Sequence, residues 1–261
     1  MEPIRQFGAD SMRYWAASGR PGVDTAVDEG QMKVGRRLAI KILNASKFAL
    51  GVMGDDVISP AAASEPLDRS MLASLAALVA HATTSFEGYD YARALDSTER
   101  FFWSYCDDYL ELVKGRAYGG SGDAGVQSAG AALALALDTL LRLFAPHMPF
   151  VTEEVWSWWR DGSVHRAPWP ETDELAAFAS GDASVYPAAA AVLGEIRKAK
   201  SEAKRSMRTD VTRVIVRAPA ELLRSLEPAI ADVRDAGRIV GEVEMVEAGE
   251  LALEVTLVDP E

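Results

Sequence analysis

Residues 33–48 read KVGRRLAIKILNASKF, and this stretch is the most informative one in the chain. On a helical wheel at 100° per residue, its cations, an asparagine and a phenylalanine fall within one arc roughly 140° wide. The opposite side holds small and apolar side chains, so the pattern predicts an amphipathic helix that runs to about Leu50. The residues of the polar arc are Lys33, Arg36, Arg37, Lys41, Asn44, Lys47 and Phe48.

The charge of this arc contrasts with the rest of the chain. The formal net charge is −12, yet residues 33–47 contain five cations and no acid. A core-facing helix has no structural need for such a face, whereas a helix that lies against a polyanion does. Phe48 falls between Arg37 and Lys41, where a nucleic-acid base could stack on its ring. The alternative interpretation is a solvated amphipathic face with one stray aromatic.

Composition and length set the broad class. A chain of 261 residues can bury a core and hold one or two domains. Leucine and alanine dominate, and β-branched residues are few before position 185, which favours helices. No apolar run approaches twenty residues and no signal-peptide pattern is visible, which predicts a cytoplasmic protein without a membrane partner. The single cysteine, Cys106, excludes a disulfide framework within the chain and fits a reducing compartment.

A second basic stretch lies near the C-terminal end. Residues 197–217 carry eight cations and two acids, whereas residues 218–261 carry three arginines and eleven acids. The pattern predicts a helix over 184–208 with Arg197, Lys204 and Arg208 along one face, as possible additional RNA contacts. Two basic patches on an acidic body indicate localised contacts with an anionic partner.

The order of helix patterns and breakers predicts a mainly α protein, an antiparallel helical bundle followed by a small α+β domain. Residues 115–125, with five glycines, are predicted as a flexible connection. The predicted helices span 7–17, 28–50, 65–86, 89–114, 126–144, 150–160, 184–208 and 220–233, and the predicted strands span 212–216, 238–240, 242–246 and 251–258. The predicted domains are 1–54 (a connecting segment with the basic helix), 55–170 (the bundle), 171–183 (a polar linker) and 184–261 (the α+β domain).

No group of residues has the pattern of a catalytic or metal site. His81, His147 and His165 lie in separate contexts, none at ligand spacing to another or to Cys106, so no metal site is predicted. Residues 119–122 read GGSG and lack the Lys-Ser/Thr that follows a phosphate-binding loop. The aromatic side chains of 101–109, and the tryptophans at 156, 158, 159 and 169, are predicted to pack between helices and at the end of the bundle.

Five ordered segments resemble the C-terminal half of the valyl-tRNA synthetases, a family of class I aminoacyl-tRNA synthetases. The resemblance covers about residues 3–170 and, more loosely, the tail. Some motifs are shared across the class I enzymes for hydrophobic amino acids, so the isoleucyl enzyme is the alternative. The segments are FGADSMRYWAASGRPGVDT, GRRLAIKILNASKF, RFFWSYCDDYLELVKGRAYG, LLRLFAPHMPFVTEEVW and APWP.

The resemblance implies an anticodon-binding bundle of the class I type that binds tRNA(Val), with the catalytic domain of the same parent chain as its other partner and no DNA. It implies that the basic helix lies by the anticodon stem and loop, with Phe48 stacked on a base, and that Lys41 and Asn44 match family positions at the loop. The other cations of the face would contact phosphate groups of the stem, namely Lys33, Arg36, Arg37 and Lys47.

The same resemblance limits the expected chemistry. The HIGH and KMSKS signatures and an editing domain are missing, so the resemblance implies a fragment of a valine–tRNA ligase that is inactive alone and holds no cofactor. ATP and Mg²⁺ would serve the parent enzyme. Similar bacterial enzymes often end in a basic coiled-coil arm, whereas this tail is acidic, so arm contacts do not carry over. A helical protein-interaction scaffold with basic docking faces remains the alternative from another class.

Overall fold

The computed structural model describes residues 2–20, 22–54, 59–120, 122–179 and 181–258. Their secondary structure is mainly helical with one small sheet, which confirms the predicted fold class. The α-helices are α1 (Glu2–Phe7), α2 (Ala9–Ser18), α3 (Glu29–Met53), α4 (Pro66–Glu87), α5 (Tyr91–Ser104), α6 (Leu110–Ala117), α7 (Gly122–Phe144), α8 (Pro149–Trp156), α9 (Ala176–Ala179), α10 (Val185–Glu202), α11 (Ala220–Leu226) and α12 (Ile230–Gly237).

The chain divides into two compact units, each assembled from three stretches of sequence. The first unit contains Met1–Pro60, Ser74–Trp103 and Gly130–Ala179. The second unit contains Ala61–Ala73, Ser104–Ala129 and Ser180–Glu261. The domain boundaries expected after residues 54, 170 and 183 stay predictions.

In the first unit, the N-terminal segment is anchored to the start of α8. The Asp10 carboxylate accepts hydrogen bonds from the backbone N–H groups of Phe150 (3.0 Å) and Val151 (2.8 Å), which have no partner within the first turn of that helix. The Arg13 guanidinium donates to the Pro146 carbonyl at 2.9 Å. Two motifs 133 residues apart in sequence therefore form one joint.

Helices α2 and α3 of the first unit approach each other closely at Gly35. A Cβ atom at this position would lie 2.8 Å from the Cβ of Tyr14, so glycine is required for this approach. The Tyr14 hydroxyl donates to Glu99 on α5 at 2.7 Å. Burial, followed by that hydrogen bond, raises the pKa of the tyrosine well above its usual value. These contacts fix the position of α2 against α3 and α5.

The second unit contains a buried ionic cluster. The Arg116 guanidinium donates two hydrogen bonds to Asp68 (2.8 and 2.7 Å) and one to Asp232 (2.6 Å). Tyr109 and Ser128 donate to the same Asp68 carboxylate at 2.8 and 2.6 Å. Burial raises the pKa of Asp232 to about 6, and the neighbouring Arg116 opposes that rise. The cluster ties α4, α6, α7 and α12 together within this unit.

The sheet of the second unit has the strand order β2–β1–β3, where β1 is Val211–Ala218, β2 is Ile239–Glu247 and β3 is Ala252–Leu257. Strand β1 pairs in parallel with β2 and antiparallel with β3. The predicted separate strands 238–240 and 242–246 are one strand, so that prediction was wrong. Gly241 lies within β2, at a register shift against β1. A Cβ atom there would come 1.7 Å from the Thr212 carbonyl oxygen, so the glycine permits the close approach of the two strands and does not end β2.

The helix predicted over 184–208 ends earlier, at Glu202. Lys204 adopts a left-handed backbone conformation with φ of 51°, and the N–H groups of Lys204 and Arg205 donate to the carbonyls of Ser201 and Lys200. This is a helix stop of the Schellman type in which lysine occupies the position that glycine normally takes. Met207, predicted to point inward on the same helix, is therefore exposed.

One predicted connection differs from the structure, and a second contains buried side chains. The segment 115–125 is helical up to Ala117 and again from Gly122, so the prediction of one long flexible connection was wrong. The segment predicted as a polar linker, 171–183, buries Leu175 and Phe178, and its Glu174 forms an ion pair with Arg142 at 2.5 Å. Leu175 and Phe178 belong to the first unit, and the assignment of 171–183 as a linker stays a prediction.

Among the described residues, one helix is long and apolar enough to cross a membrane by length and composition, namely α7. About two thirds of its most apolar window, 67%, is buried within the protein. A mostly buried helix of this composition is typical of the core of a helical bundle, and it is weak evidence for a membrane span.

Candidate nucleic-acid interface

Helix α3 carries the predicted basic face and is fixed by its own cap. The Asp28 carboxylate accepts hydrogen bonds from the backbone N–H groups of Gly30 (2.7 Å) and Gln31 (3.2 Å), as expected of an N-terminal cap. The helix packs against α2 and α8 in the first unit. Its buried residues are Met32, Gly35, Leu38, Ile42, Ala45, Ser46 and Ala49.

The structure places all seven predicted contact residues on α3, away from its buried face. Two of them, Lys41 and Phe48, are half-buried. The exposed members are Lys33, Arg36, Arg37, Asn44 and Lys47. Ile40 lies in the same arc and is 49% exposed, although the predicted contact residues do not include it. The face is therefore a solvent-accessible basic surface with an apolar contribution; whether these residues contact RNA stays a prediction.

Two tryptophans border the basic face. The Lys41 Nζ lies 5.7 Å from the centroid of the Trp103 ring, and the Lys47 Nζ lies 5.9 Å from that of Trp158. Both distances fall within the range of cation–π attraction. The Trp103 indole N–H donates to Glu99 at 3.0 Å, and the Trp158 indole N–H donates to Glu154 at 3.1 Å. These contacts orient the rings beside the lysines.

Trp158 does not seal the end of the bundle, so that prediction was wrong. Trp158 is 38% exposed, whereas Trp156 is 7% exposed. Helix α8 ends at Trp156, so Trp158 lies in the turn that follows, where the chain no longer faces the core. The aromatic content of 156–159 gave no signal of this difference, because it depends on where the helix ends.

The cations of the face are not equivalent. The Arg36 guanidinium donates to the Gln6 carbonyl at 2.7 Å, at the end of α1. Arg37 and Lys33 are exposed, and within the described part of the chain neither forms an ion pair. Arg36 therefore combines a structural contact with its exposed charge, while Arg37 and Lys33 present their charge to solvent.

The three additional predicted contacts belong to the second unit and do not share a helix face. Arg197 on α10 forms an ion pair with Asp108 at 3.1 Å and also donates to the Asp107 carbonyl at 2.7 Å. Lys204 lies at the left-handed stop of that helix, and Arg208 lies in the turn beyond it. The prediction of one basic helix face was wrong, because the helix ends before two of its three members.

Histidine, cysteine and carboxylate side chains do not form a metal site in the part of the chain that the structure describes, since no three of them come together. Cys106 is buried, in agreement with a packing role. His147 is buried at the junction of α7 and α8, its ring centroid 5.5 Å from that of Phe86. Burial, and secondarily Arg13, lower its pKa to about 4, so the imidazole is neutral at neutral pH.

Comparison with known proteins identifies the class. A sequence model of the family described as the anticodon-binding domain of tRNA ligases matches residues 68–216. The chain therefore belongs to the tRNA ligase anticodon-binding domain family. The agnB2 LeuRS of Agrobacterium radiobacter K84, solved in a ternary complex with tRNA and LeuAMS, superposes with a TM-score of 0.53 at 15% identity. That alignment covers 97% of this chain and 30% of the LeuRS chain, and it shows a shared fold.

The sequence relatives are more specific. The chain is 55% identical to the valine–tRNA ligase of Salinispora arenicola over 98% of its own length and 32% of that protein. It is 57% identical to the valine–tRNA ligase of Thermobifida fusca (99% and 29%) and 48% identical to that of Cutibacterium acnes (99% and 30%). The chain thus spans about a third of the length of these relatives.

Proposed function

We propose that the chain supplies tRNA recognition to a valine–tRNA ligase and binds the anticodon stem-loop of tRNA(Val) through the basic face of α3. The observation that carries the proposal is the exposed row of cations on α3, in a protein of net charge −12 whose family binds anticodons. Bond formation with ATP and Mg²⁺ would belong to the catalytic domain of the parent enzyme, in the cytoplasm.

The residues of the face divide into two roles. Lys33, Arg37 and Lys47 are exposed, which suits contacts with phosphate groups that position the stem. Phe48 and Asn44 offer a ring surface and an amide, which suit the unstacked bases of a loop. Arg36 has a backbone contact with α1, so its contribution to binding should be smaller than that of Arg37.

The base-stacking role of Phe48 is tested by Phe48→Ala. A lost stacking contact should weaken tRNA binding by about 1–3 kcal/mol, which is about 5- to 150-fold in Kd. Since Phe48 is only half-buried, the melting temperature should fall little. Filter binding of tRNA(Val) and a thermal melt measure both effects on the same preparation.

The matched control is Ile42→Ala on the same helix. Ile42 is 2% exposed on the buried side, so its truncation should cost about 2–5 kcal/mol of unfolding free energy. At a temperature where this variant is folded, its tRNA affinity should be that of the unaltered chain. If instead Phe48→Ala melted like Ile42→Ala and bound tRNA normally, Phe48 would belong to the core.

A further inference from the structure

The second unit contains a cleft of about 560 Å³ that the basic face of α3 does not involve. It is formed by α6, the last turns of α10, the turn after α10, and the junction of α12 with β2. Its charged lining is unbalanced, with two acids against five cations. The acids are Glu111 and Asp235, and the cations are Lys114, Arg197, Lys200, Arg208 and Arg238.

Most of these cations have an acidic neighbour, but Arg208 does not. Lys114 pairs with Glu111 at 2.7 Å, and Arg238 pairs with Asp210 at 2.6 Å. Arg208 is exposed, and its guanidinium makes no hydrogen bond or ion pair with any residue that the structure describes. The cleft therefore holds one uncompensated guanidinium at its edge.

A buried lysine forms part of the same lining. Lys200 is 2% exposed, and its ammonium donates to the carbonyls of Met207 (3.1 Å) and Gly237 (2.8 Å). An ammonium has three donors, so one remains without an acceptor among the described residues. Burial lowers the pKa of Lys200, and Arg238 and Arg197 lower it further, while Asp210 opposes them. Neighbouring cations therefore create a positive potential at this desolvated amine, and a bound anion would lower that potential.

The remaining lining suits a flat or apolar group attached to that anion. Tyr118 is 74% exposed and Met207 is 49% exposed, and both line the cleft. A nucleotide presents this combination, a phosphate beside a ribose and a base with a π-face. Free inorganic phosphate would use the cations but not these two side chains.

We propose that this cleft binds a backbone phosphate of RNA, with Arg208 as its main charged contact. The proposal rests on the proposed function, because tRNA is the RNA that this chain would carry. It adds a second contact, in the second unit, to that of α3. Lys204, which sequence patterning grouped with Arg208, does not line the cleft and has no part in it.

The test is Arg208→Gln in the full chain, with Arg224→Gln as the matched control. Arg224 is an exposed arginine on α11 of the same unit and does not line the cleft. Loss of one phosphate contact should weaken tRNA binding about four- to sixfold at 0.15 M salt and reduce the salt slope by about 0.7–0.9. Arg224→Gln should leave the affinity and the slope unchanged.

Two outcomes would overturn the inference, and both are separable from failure of the proposed function. If the unaltered chain binds tRNA and Arg208→Gln binds equally well, the cleft is not an RNA contact. If inorganic phosphate raises the melting temperature only when Arg208 is present, while tRNA affinity is insensitive to Arg208→Gln, the cleft is a site for small phosphates. If the unaltered chain binds no tRNA, the proposed function itself fails.

Discussion

Replacing Lys33, Arg37 and Lys47 together by glutamine should weaken tRNA binding about 50- to 150-fold at 0.15 M salt, if each cation neutralises one phosphate. The logarithm of the binding constant should then depend less steeply on the logarithm of salt concentration, by about 2–3 units of slope. The fold should survive, since these side chains are exposed and glutamine is a good helix former. A salt titration of tRNA binding measures both quantities.

A control must separate local contacts from overall charge. The control replaces three arginines of the second unit by glutamine, namely Arg213, Arg217 and Arg224. They lie outside the proposed cleft, and their replacement changes the net charge by the same amount as the triple variant of α3. This control variant should bind tRNA nearly as well as the unaltered chain. If both triple variants lost affinity equally, binding would reflect net charge, and the basic face of α3 would have no special role.

Arg116→Met should destabilise the second unit by about 3–5 kcal/mol. The substitution leaves the carboxylates of Asp68 and Asp232 buried without their cation, and breaking a buried ion pair from one side has a cost of this order. Urea unfolding of the variant and of the unaltered chain at pH 7 measures the difference. As a control, Arg100→Met removes an exposed ion pair with Asp96 and should cost less than about 1 kcal/mol.

The destabilisation by Arg116→Met should also depend on pH. The folded-state pKa of Asp232 is about 6, above its unfolded value, and loss of Arg116 raises it further. The unfolding free energy of the variant should therefore be largest below about pH 4, where the Asp232 carboxyl is protonated in both the folded and the unfolded state. It should fall as pH rises through the folded-state pKa. A cost that stays constant from pH 4 to pH 8 would show that lost packing, and not unpaired charge, causes the destabilisation.

Features that depend on local periodicity could be predicted from the sequence. Helix α3 follows from the spacing of its cations and apolar residues, and Asp28 caps it where acidic residues were expected. The alternation of Leu253, Val255 and Leu257 with exposed residues predicted β3 in the same way, and the structure confirms it. Such patterns depend on residues within a few positions of one another, which a sequence displays directly.

Features that depend on distant residues could not be predicted. Asp68, Arg116 and Asp232 are separated by 48 and 116 positions, and no local pattern links them. Arg116 even falls within a glycine-rich segment that predicted a flexible connection. The early end of α10 was missed for another reason, since Lys204 takes a backbone conformation for which glycine is the usual signal. The cleft beside Arg208 depends on that unexpected helix end.

Recognition of the anticodon stem-loop of tRNA(Val) by this chain should appear in two dissociation constants. These are the Kd values of the purified chain for tRNA(Val) and for the same tRNA with an exchanged anticodon. Loss of contacts worth about 1.4 kcal/mol at the loop corresponds to about a tenfold change in affinity. We expect the exchanged tRNA to bind at least about tenfold more weakly. Equal affinity for the two tRNAs would show that the chain does not recognise the anticodon.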